Sequence, residues 1–136
     1  MDLSLSSPGY AIIQVRDRQP YLIEKGHVKT NAKKPHGCRL KQIEKALIKL
    51  RDMYEHGAVI RERGFSRFPS VTQTLFKVVG ISDMVFKDVE IAEIPPTTVK
   101  KTITGDGRAD KAKVEQAVRE ALRLRNDTKF ATDDES

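Results

Sequence analysis

The chain has 136 residues, of which 38% are hydrophobic and 32% are charged, and this length fits one domain with one core. Lysine and arginine outnumber aspartate and glutamate by 25 to 19, so the net charge is +6, which favours an anionic partner such as nucleic acid. One cysteine, Cys38, excludes a disulfide framework and a four-cysteine zinc site and suits a reducing cytoplasm, and no apolar run is long enough to span a membrane.

The first third of the chain predicts a β-hairpin followed by a loop. Residues 10–15 are mostly apolar and rich in β-branched side chains, and residues 21–24 open a second such run that extends toward Val28. The polar residues 16–20 between the two runs predict a turn. Residues 29–38 contain lysine, asparagine, proline and glycine without periodicity, so they predict a loop.

The rest of the chain alternates helices with strands. Apolar residues recur in steps of three and four from Leu40 to Tyr54, which predicts an amphipathic helix that Gly57 is placed to end. A strand at residues 58–62 and an apolar helix from Val71 to about Val85 follow. Residues 89–94 predict a strand that two prolines end, and residues 97–104 and 110–124 predict helices. This order predicts an α/β fold, with a mixed sheet of antiparallel first strands flanked by helices.

Acidic residues stand at three informative places in this order. Asp2 heads the first strand segment, Glu62 ends an apolar strand, and Asp133 and Asp134 follow the last helix. A carboxylate at the end of an apolar strand is costly to bury unless it is paired or bound to a metal ion. Carboxylates brought together bind hard divalent cations such as Mg²⁺ through their oxygens. Taken singly, each acid also fits a terminus, an arginine partner or a polar tail, so spacing alone leaves the metal site open.

Four short segments along the chain match the motifs of one family in the family's order. The matching residues are Asp2 with Gly9-Tyr10, Glu62 with Phe65, Lys100 with Lys111, and Asp133-Asp134 near the end of the chain. On these residues the chain resembles the RuvC-type Holliday-junction resolvases of the ribonuclease H-like superfamily, as a bacterial or phage member. The resemblance implies a metal-dependent endonuclease that hydrolyses phosphodiesters in branched DNA, such as four-way junctions and forks, in the cytoplasm of a bacterium or a phage-infected cell.

The resemblance also implies roles for individual residues. Asp2, Glu62 and Asp134 would be ligands of Mg²⁺, for which Mn²⁺ substitutes, with Asp133 as the alternative to Asp134. Lys111 and Lys100 would lie at the scissile phosphate and stabilise the charge that develops on its oxygens. The expected DNA contacts are Phe65, Arg61, Arg63, Arg67, Lys100 and Lys111.

Phe65 resembles the family's aromatic residue that stacks on an unpaired base at the crossover, although a core or loop-anchoring phenylalanine fits the same position. Three arginines flank this ring, at positions 61, 63 and 67, and basic residues beside an aromatic ring suit branched DNA.

Two matched cuts in a symmetric junction require two active sites, so the resemblance implies a homodimer. The family's dimer helix corresponds to the helix from Val71 to Val85. Its apolar content exceeds what one buried face requires, which fits an interface, although a fully buried core helix fits equally well. The residues concerned are Leu75, Phe76, Val78, Val79 and Ile81.

The two ends of the chain depart from the family pattern. Only Met1 precedes Asp2, where the family has an apolar strand run, and the family's fourth acid would fall just after Ser136. The sequence therefore predicts one nuclease domain over residues 1–136, truncated at both ends. Two alternatives stay open: a non-catalytic branched-DNA binding module on the same fold, and a ribonuclease H-like enzyme acting on RNA–DNA hybrids.

Overall fold

The computed structural model describes residues 1–55, 57–64 and 67–124. These residues fall into two compact units, one comprising Met1–Tyr10 and His27–Ile94, the other Ala11–Gly26 and the residues from Pro95 onward. No helix within the described ranges is long and apolar enough to cross a membrane. The elements in chain order are β1 (Gly9–Arg16), β2 (Gln19–His27), α1 (His36–Met53), β3 (Val59–Glu62), α2 (Pro69–Val85), β4 (Ile91–Ile94), α3 (Pro96–Thr104) and α4 (Lys111–Leu122).

β1 and β2 form the predicted hairpin, but its turn is shorter than predicted. Asp17 and Arg18 have φ angles of 51° and 63°, the left-handed conformation that a two-residue type I′ turn requires at both positions. Gln19 and Pro20, which the sequence assigned to the turn, are instead the first residues of β2. Because the turn has only two residues, β1 extends to Arg16 and β2 begins at Gln19. The two strands are therefore longer than the polar residues 16–20 indicate.

Helices α1 and α2 pack together and supply much of the core of the first unit. The buried positions of α1 follow the predicted spacing of three and four residues. α1 begins at His36, earlier than the apolar pattern indicates, directly after an extended proline at its N-cap. The buried residues are Ile43, Leu47 and Leu50 from α1 and Val78, Ser82 and Val85 from α2.

β3 and β4 pair in parallel, each with four residues. Their register places Val59 opposite Ile91 and Glu62 opposite Ile94. The start of the chain adds an antiparallel bridge in the same unit, in which the Asp2 and Gly9 amides donate to each other's carbonyls at 3.0 and 2.8 Å. The Met1 amino group also donates to the Ile60 carbonyl, so the beginning of the chain lies beside β3 in the first unit.

α3 packs against α4 in the second unit. Gly105 ends α3 with a φ of 81°, a left-handed conformation that costs glycine least. The Asp110 carboxylate caps α4 by accepting a hydrogen bond from the Lys113 amide at 2.8 Å. The hairpin joins this unit where the Gln19 side-chain amide donates to the Ala121 carbonyl at 3.1 Å.

Candidate metal centre and DNA-contact residues

Asp2 and Glu62, two of the predicted metal ligands, occupy neighbouring positions on paired backbone. The Met1 amino group donates to the Ile60 carbonyl at 2.6 Å, and the Glu62 amide donates to the Met1 carbonyl at 3.0 Å. These two bonds are the pattern of a parallel bridge between Met1 and Arg61. Asp2 and Glu62 are the next positions along, on backbones about 4.8 Å apart. Because side chains alternate along a strand, both carboxylates belong to the same face.

The surroundings of this pair suit a cation. Asp2 is exposed and Glu62 is half-buried. Burial lowers the pKa of the Met1 amino group below its usual range, and the charges of Asp2 and Glu62 oppose that shift. Carboxylates at adjacent register positions concentrate negative charge, which a hard divalent cation relieves through oxygen ligands.

The remaining predicted ligands, Asp133 and Asp134, lie outside the described residues. Within the described ranges, no group of three or more histidine, cysteine, aspartate or glutamate side chains could hold a metal ion. Asp2 and Glu62 are therefore the part of the predicted ligand set that the structure brings together.

Arg61 lies on the opposite face of β3 and is buried. Its side chain is 7% exposed, and its guanidinium donates to the Asp83 carboxylate at 2.7 Å, to the Ser82 hydroxyl at 2.8 Å and to the Glu93 carboxylate. Burial acts to lower the pKa of Arg61, but the hydrogen bonds to Asp83 and Glu93 outweigh it and raise the pKa above its usual value. The predicted DNA contact by Arg61 is therefore revised to a structural role, because its donors are directed into the protein.

Arg63 and Arg67 are on the surface. The Arg63 side chain is 62% exposed, and its Nε lies 3.5 Å from a carboxylate oxygen of Glu93. Arg67 is exposed, with its guanidinium carbon 5.2 Å from the centroid of the Phe68 ring. Phe65, the predicted stacking residue, lies outside the described residues. Two of the three predicted arginines are thus accessible to a nucleic acid.

Lys100 and Lys111, the predicted phosphate contacts, both belong to the second unit. Lys100 is half-buried on α3, and Lys111 is exposed as the first residue of α4. Their neighbour Lys113 lies 3.7 Å from the Asp106 carboxylate. The cap of α4 at Asp110 fixes where the helix starts and hence where Lys111 lies on it.

A cavity of about 570 Å³ in the first unit was not expected from the sequence. It adjoins the carboxylate pair, because its lining includes Ser4, two residues after Asp2, and Gly64, two residues after Glu62. Its basic residues, His36 and Arg39, come from the start of α1, which the sequence assigned partly to a loop. Among the lining residues are Ser4, Ser6, His36, Arg39, Gly64 and Leu75.

α2 has an inner and an outer apolar face. Val78 is fully buried, so this predicted interface residue belongs to the core. Phe76 and Met84 are 60% and 66% exposed, with Gly80 between them at the four-residue spacing of one helix face. The other predicted interface residues are half-buried: Leu75, Val79 and Ile81.

Comparison with known proteins identifies what the chain is similar to. A family model described as "Crossover junction endodeoxyribonuclease RuvC" matches residues 1–134. The protein of that description from Prochlorococcus marinus subsp. pastoris is 32% identical over 126 residues, which cover 91% of this chain and 80% of the relative. The one from Alkaliphilus metalliredigens is 31% identical over 129 residues, which cover 91% of this chain and 77% of the relative.

Solved structures give the same result for the fold. The structure described as "T. thermophilus RuvC in complex with Holliday junction substrate" matches with a TM-score of 0.88 at 22% identity, over 96% of this chain and 81% of that chain. A second Thermus thermophilus RuvC structure matches with a TM-score of 0.86 at 21% identity. These likenesses confirm the predicted ribonuclease H-like α/β fold.

Proposed function

This chain belongs to the RuvC family of crossover junction endodeoxyribonucleases, and on that premise we propose that it resolves Holliday junctions and related branched DNA by metal-dependent hydrolysis of phosphodiester bonds. The observation that carries the proposal is the pairing of Asp2 with Glu62 on one face of adjoining backbones. Both acids lie in the segments that resemble the family's motifs, and their adjoining backbones explain how they would bind one cation together.

The donor set fits a divalent cation. Asp2 and Glu62 offer oxygen ligands, and we propose that Asp134, or Asp133 in its place, completes the set for Mg²⁺, with Mn²⁺ as a substitute. When bound, the ion supplies a polarised water and stabilises negative charge on the phosphate. The protein's own contribution is to hold the carboxylates close together.

Basic and aromatic residues serve the DNA in this proposal. Lys100 and Lys111 contact the scissile phosphate and stabilise the charge that develops on its oxygens. Arg63 and Arg67, both exposed, neutralise backbone phosphates, and Phe65 between them stacks on an unpaired base at the branch point.

Paired cutting requires a second copy of the chain. We propose a C₂ homodimer formed through the outer face of α2, where Phe76 and Met84 are exposed. Large apolar side chains at helical spacing are unfavourable in water, and burial against a partner helix relieves this. A dimer sets two sites at one separation, which matches the near two-fold symmetry of a four-way junction.

The test of the function is the Glu62→Gln variant. This change preserves the size of the side chain and removes its charge, so we expect loss of Mg²⁺-dependent cleavage of a synthetic four-way junction with junction binding retained. Glu90→Gln is the matched control, because Glu90 is an exposed glutamate just before β4, and it should cleave like the parent.

Other outcomes have definite meanings. Cleavage by Glu62→Gln at the parent rate would contradict the metal-site assignment. A parent chain that binds junctions but cleaves none in Mg²⁺ or Mn²⁺ is the non-catalytic binding module. Preferential hydrolysis of the RNA strand of an RNA–DNA hybrid would identify the other alternative.

A further inference from the structure

One buried arginine ties three elements together directly behind the carboxylate pair. We propose that Arg61 is a positioning residue for the metal centre: it holds β3 in the register and orientation that place the Glu62 carboxylate beside Asp2. This inference rests on the proposed function, because it assigns to Arg61 the task of fixing one of the proposed metal ligands.

The contacts of Arg61 connect β3 to α2 and to β4. Nη1 donates to the hydroxyl of Ser82 and to the carboxylate of Asp83, which are consecutive residues of α2. Nη2 donates to the carboxylate of Glu93 on β4. Ser82 is itself fully buried and donates to the Val79 carbonyl at 2.7 Å, so its hydroxyl is held in place.

Arg61 and its hydrogen bonds fix β3 at the position directly before Glu62, the proposed metal ligand. Arg61 is opposite Glu93 in the parallel pairing of β3 with β4, and it is also the residue bridged to Met1. Glu62 is the next residue, on the other face. A slip of β3 by one residue would exchange its faces and carry the carboxylate away from Asp2.

The guanidinium occupies this position at an energetic cost. Its Nε is buried without a hydrogen-bond partner among the described residues, which is unfavourable. A methionine-sized apolar side chain would fill the space without any buried charge. The planar guanidinium of arginine, however, donates hydrogen bonds to α2 and β4 at the same time. A single ammonium group cannot do this with the same geometry.

Electrostatics and positioning predict opposite effects on metal binding. A positive guanidinium near a cation site repels the cation, so its removal should strengthen metal binding by charge alone. If Arg61 positions Glu62, its removal should weaken metal binding. The sign of the change therefore separates the two effects.

The experiment measures Mn²⁺ affinity of the full chain without DNA, by electron paramagnetic resonance of the free ion, for the parent, Arg61→Met and Arg61→Lys. We expect both variants to bind Mn²⁺ about tenfold more weakly, which is the usual effect of losing a residue that orients a ligand. The Mn²⁺ concentration for half-maximal junction cleavage should rise by the same factor. Arg63→Met is the charge control: it removes an exposed arginine equally near Glu62 in sequence, and its Mn²⁺ affinity should equal or exceed that of the parent.

The outcomes are decisive in each case. A folded Arg61→Met chain that binds Mn²⁺ as tightly as the parent, or more tightly, overturns the proposal. If Arg61→Met does not fold, Arg61→Lys decides, because it keeps the charge and loses only the planar guanidinium; unchanged Mn²⁺ affinity then overturns it. A parent chain that binds Mn²⁺ but cleaves no junction refutes the proposed function, while the Mn²⁺ affinities still judge Arg61. A parent that binds no Mn²⁺ refutes both.

Discussion

Lys111 and Arg61 are both cations in segments that resemble family motifs, but Arg61 is buried and Lys111 is exposed. Arg61 is buried among carboxylates, so its charge is already neutralised by protein groups. Lys111 is exposed at the first position of α4, where the helix dipole is unfavourable for a positive charge. A cation at an unfavourable position favours a role toward a ligand, and in the proposed function that ligand is the scissile phosphate.

Lys111→Met should lower the rate of junction cleavage by about 10²–10³-fold, because it removes a charge that stabilises the transition state. Thermal stability should not fall, since the lost cation opposes the helix dipole. Single-turnover cleavage and a melting curve measure the two effects.

Lys113→Met is the control for this prediction. Lys113 lies two residues along the same helix and faces Asp106, so its loss should leave cleavage near the parent rate. Equal losses in both variants would mean that general surface charge, not Lys111 itself, sets the rate.

α2 is the element whose role depends most on its two faces. This helix packs on α1 and buries Val78 and Val85, and Ser82 on that side accepts a hydrogen bond from the Arg61 guanidinium. Its outer face presents Phe76 and Met84 to solvent. One helix therefore links the core, the proposed positioning of Glu62 and the proposed dimer interface.

Phe76→Glu should convert the proposed dimer to a monomer, because two like charges would be buried in a symmetric interface. The monomer should stay folded, since Phe76 is 60% exposed in the single chain. Light scattering gives the mass, and a melting curve checks the fold.

Met53→Glu is the matched control for the dimer prediction, because Met53 is a 55% exposed apolar residue at the end of α1. It should leave the mass at that of a dimer. A parent chain that is monomeric at micromolar concentration would contradict the interface outright.

The whole molecule carries a net charge of +6, and residues 126–136 contribute −3 of it, so the preceding residues are more basic than the total indicates. Such a surface attracts a phosphate backbone whatever its sequence. The affinity for branched DNA should therefore fall as the salt concentration rises, because bound phosphates release their counterions.

Junction affinity should fall by about 10³–10⁵-fold between 50 and 200 mM salt if roughly six to ten phosphates are contacted. Arg67→Gln should reduce the slope of log affinity against log salt by about one. Lys87→Gln is the control, because Lys87 is exposed beyond the end of α2 and lies 3.6 Å from Asp88. A salt-independent affinity would contradict a phosphate-binding surface.

The sequence predicted the elements well wherever a local pattern defines them. The spacing of Ile43, Leu47 and Leu50 predicted α1 and its buried side. The run of apolar residues before Glu62 predicted β3. Boundaries were less accurate where a turn depends on backbone conformation: the left-handed Asp17-Arg18 pair is not recognisable from residue type, because arginine rarely adopts positive φ.

What the sequence by itself determined is the order of elements and the offsets among Asp2, Glu62, Lys100 and Lys111, because hydrophobic period and motif spacing are properties of nearby residues along the chain. Only the tertiary structure decided that Arg61 is buried while Arg63 is exposed, since alternation puts two neighbours on opposite faces but does not say which face α2 covers. The pairing of Asp2 with Glu62 was likewise decided in three dimensions. It depends on hydrogen bonds between backbones far apart in sequence, and no local pattern encodes their register.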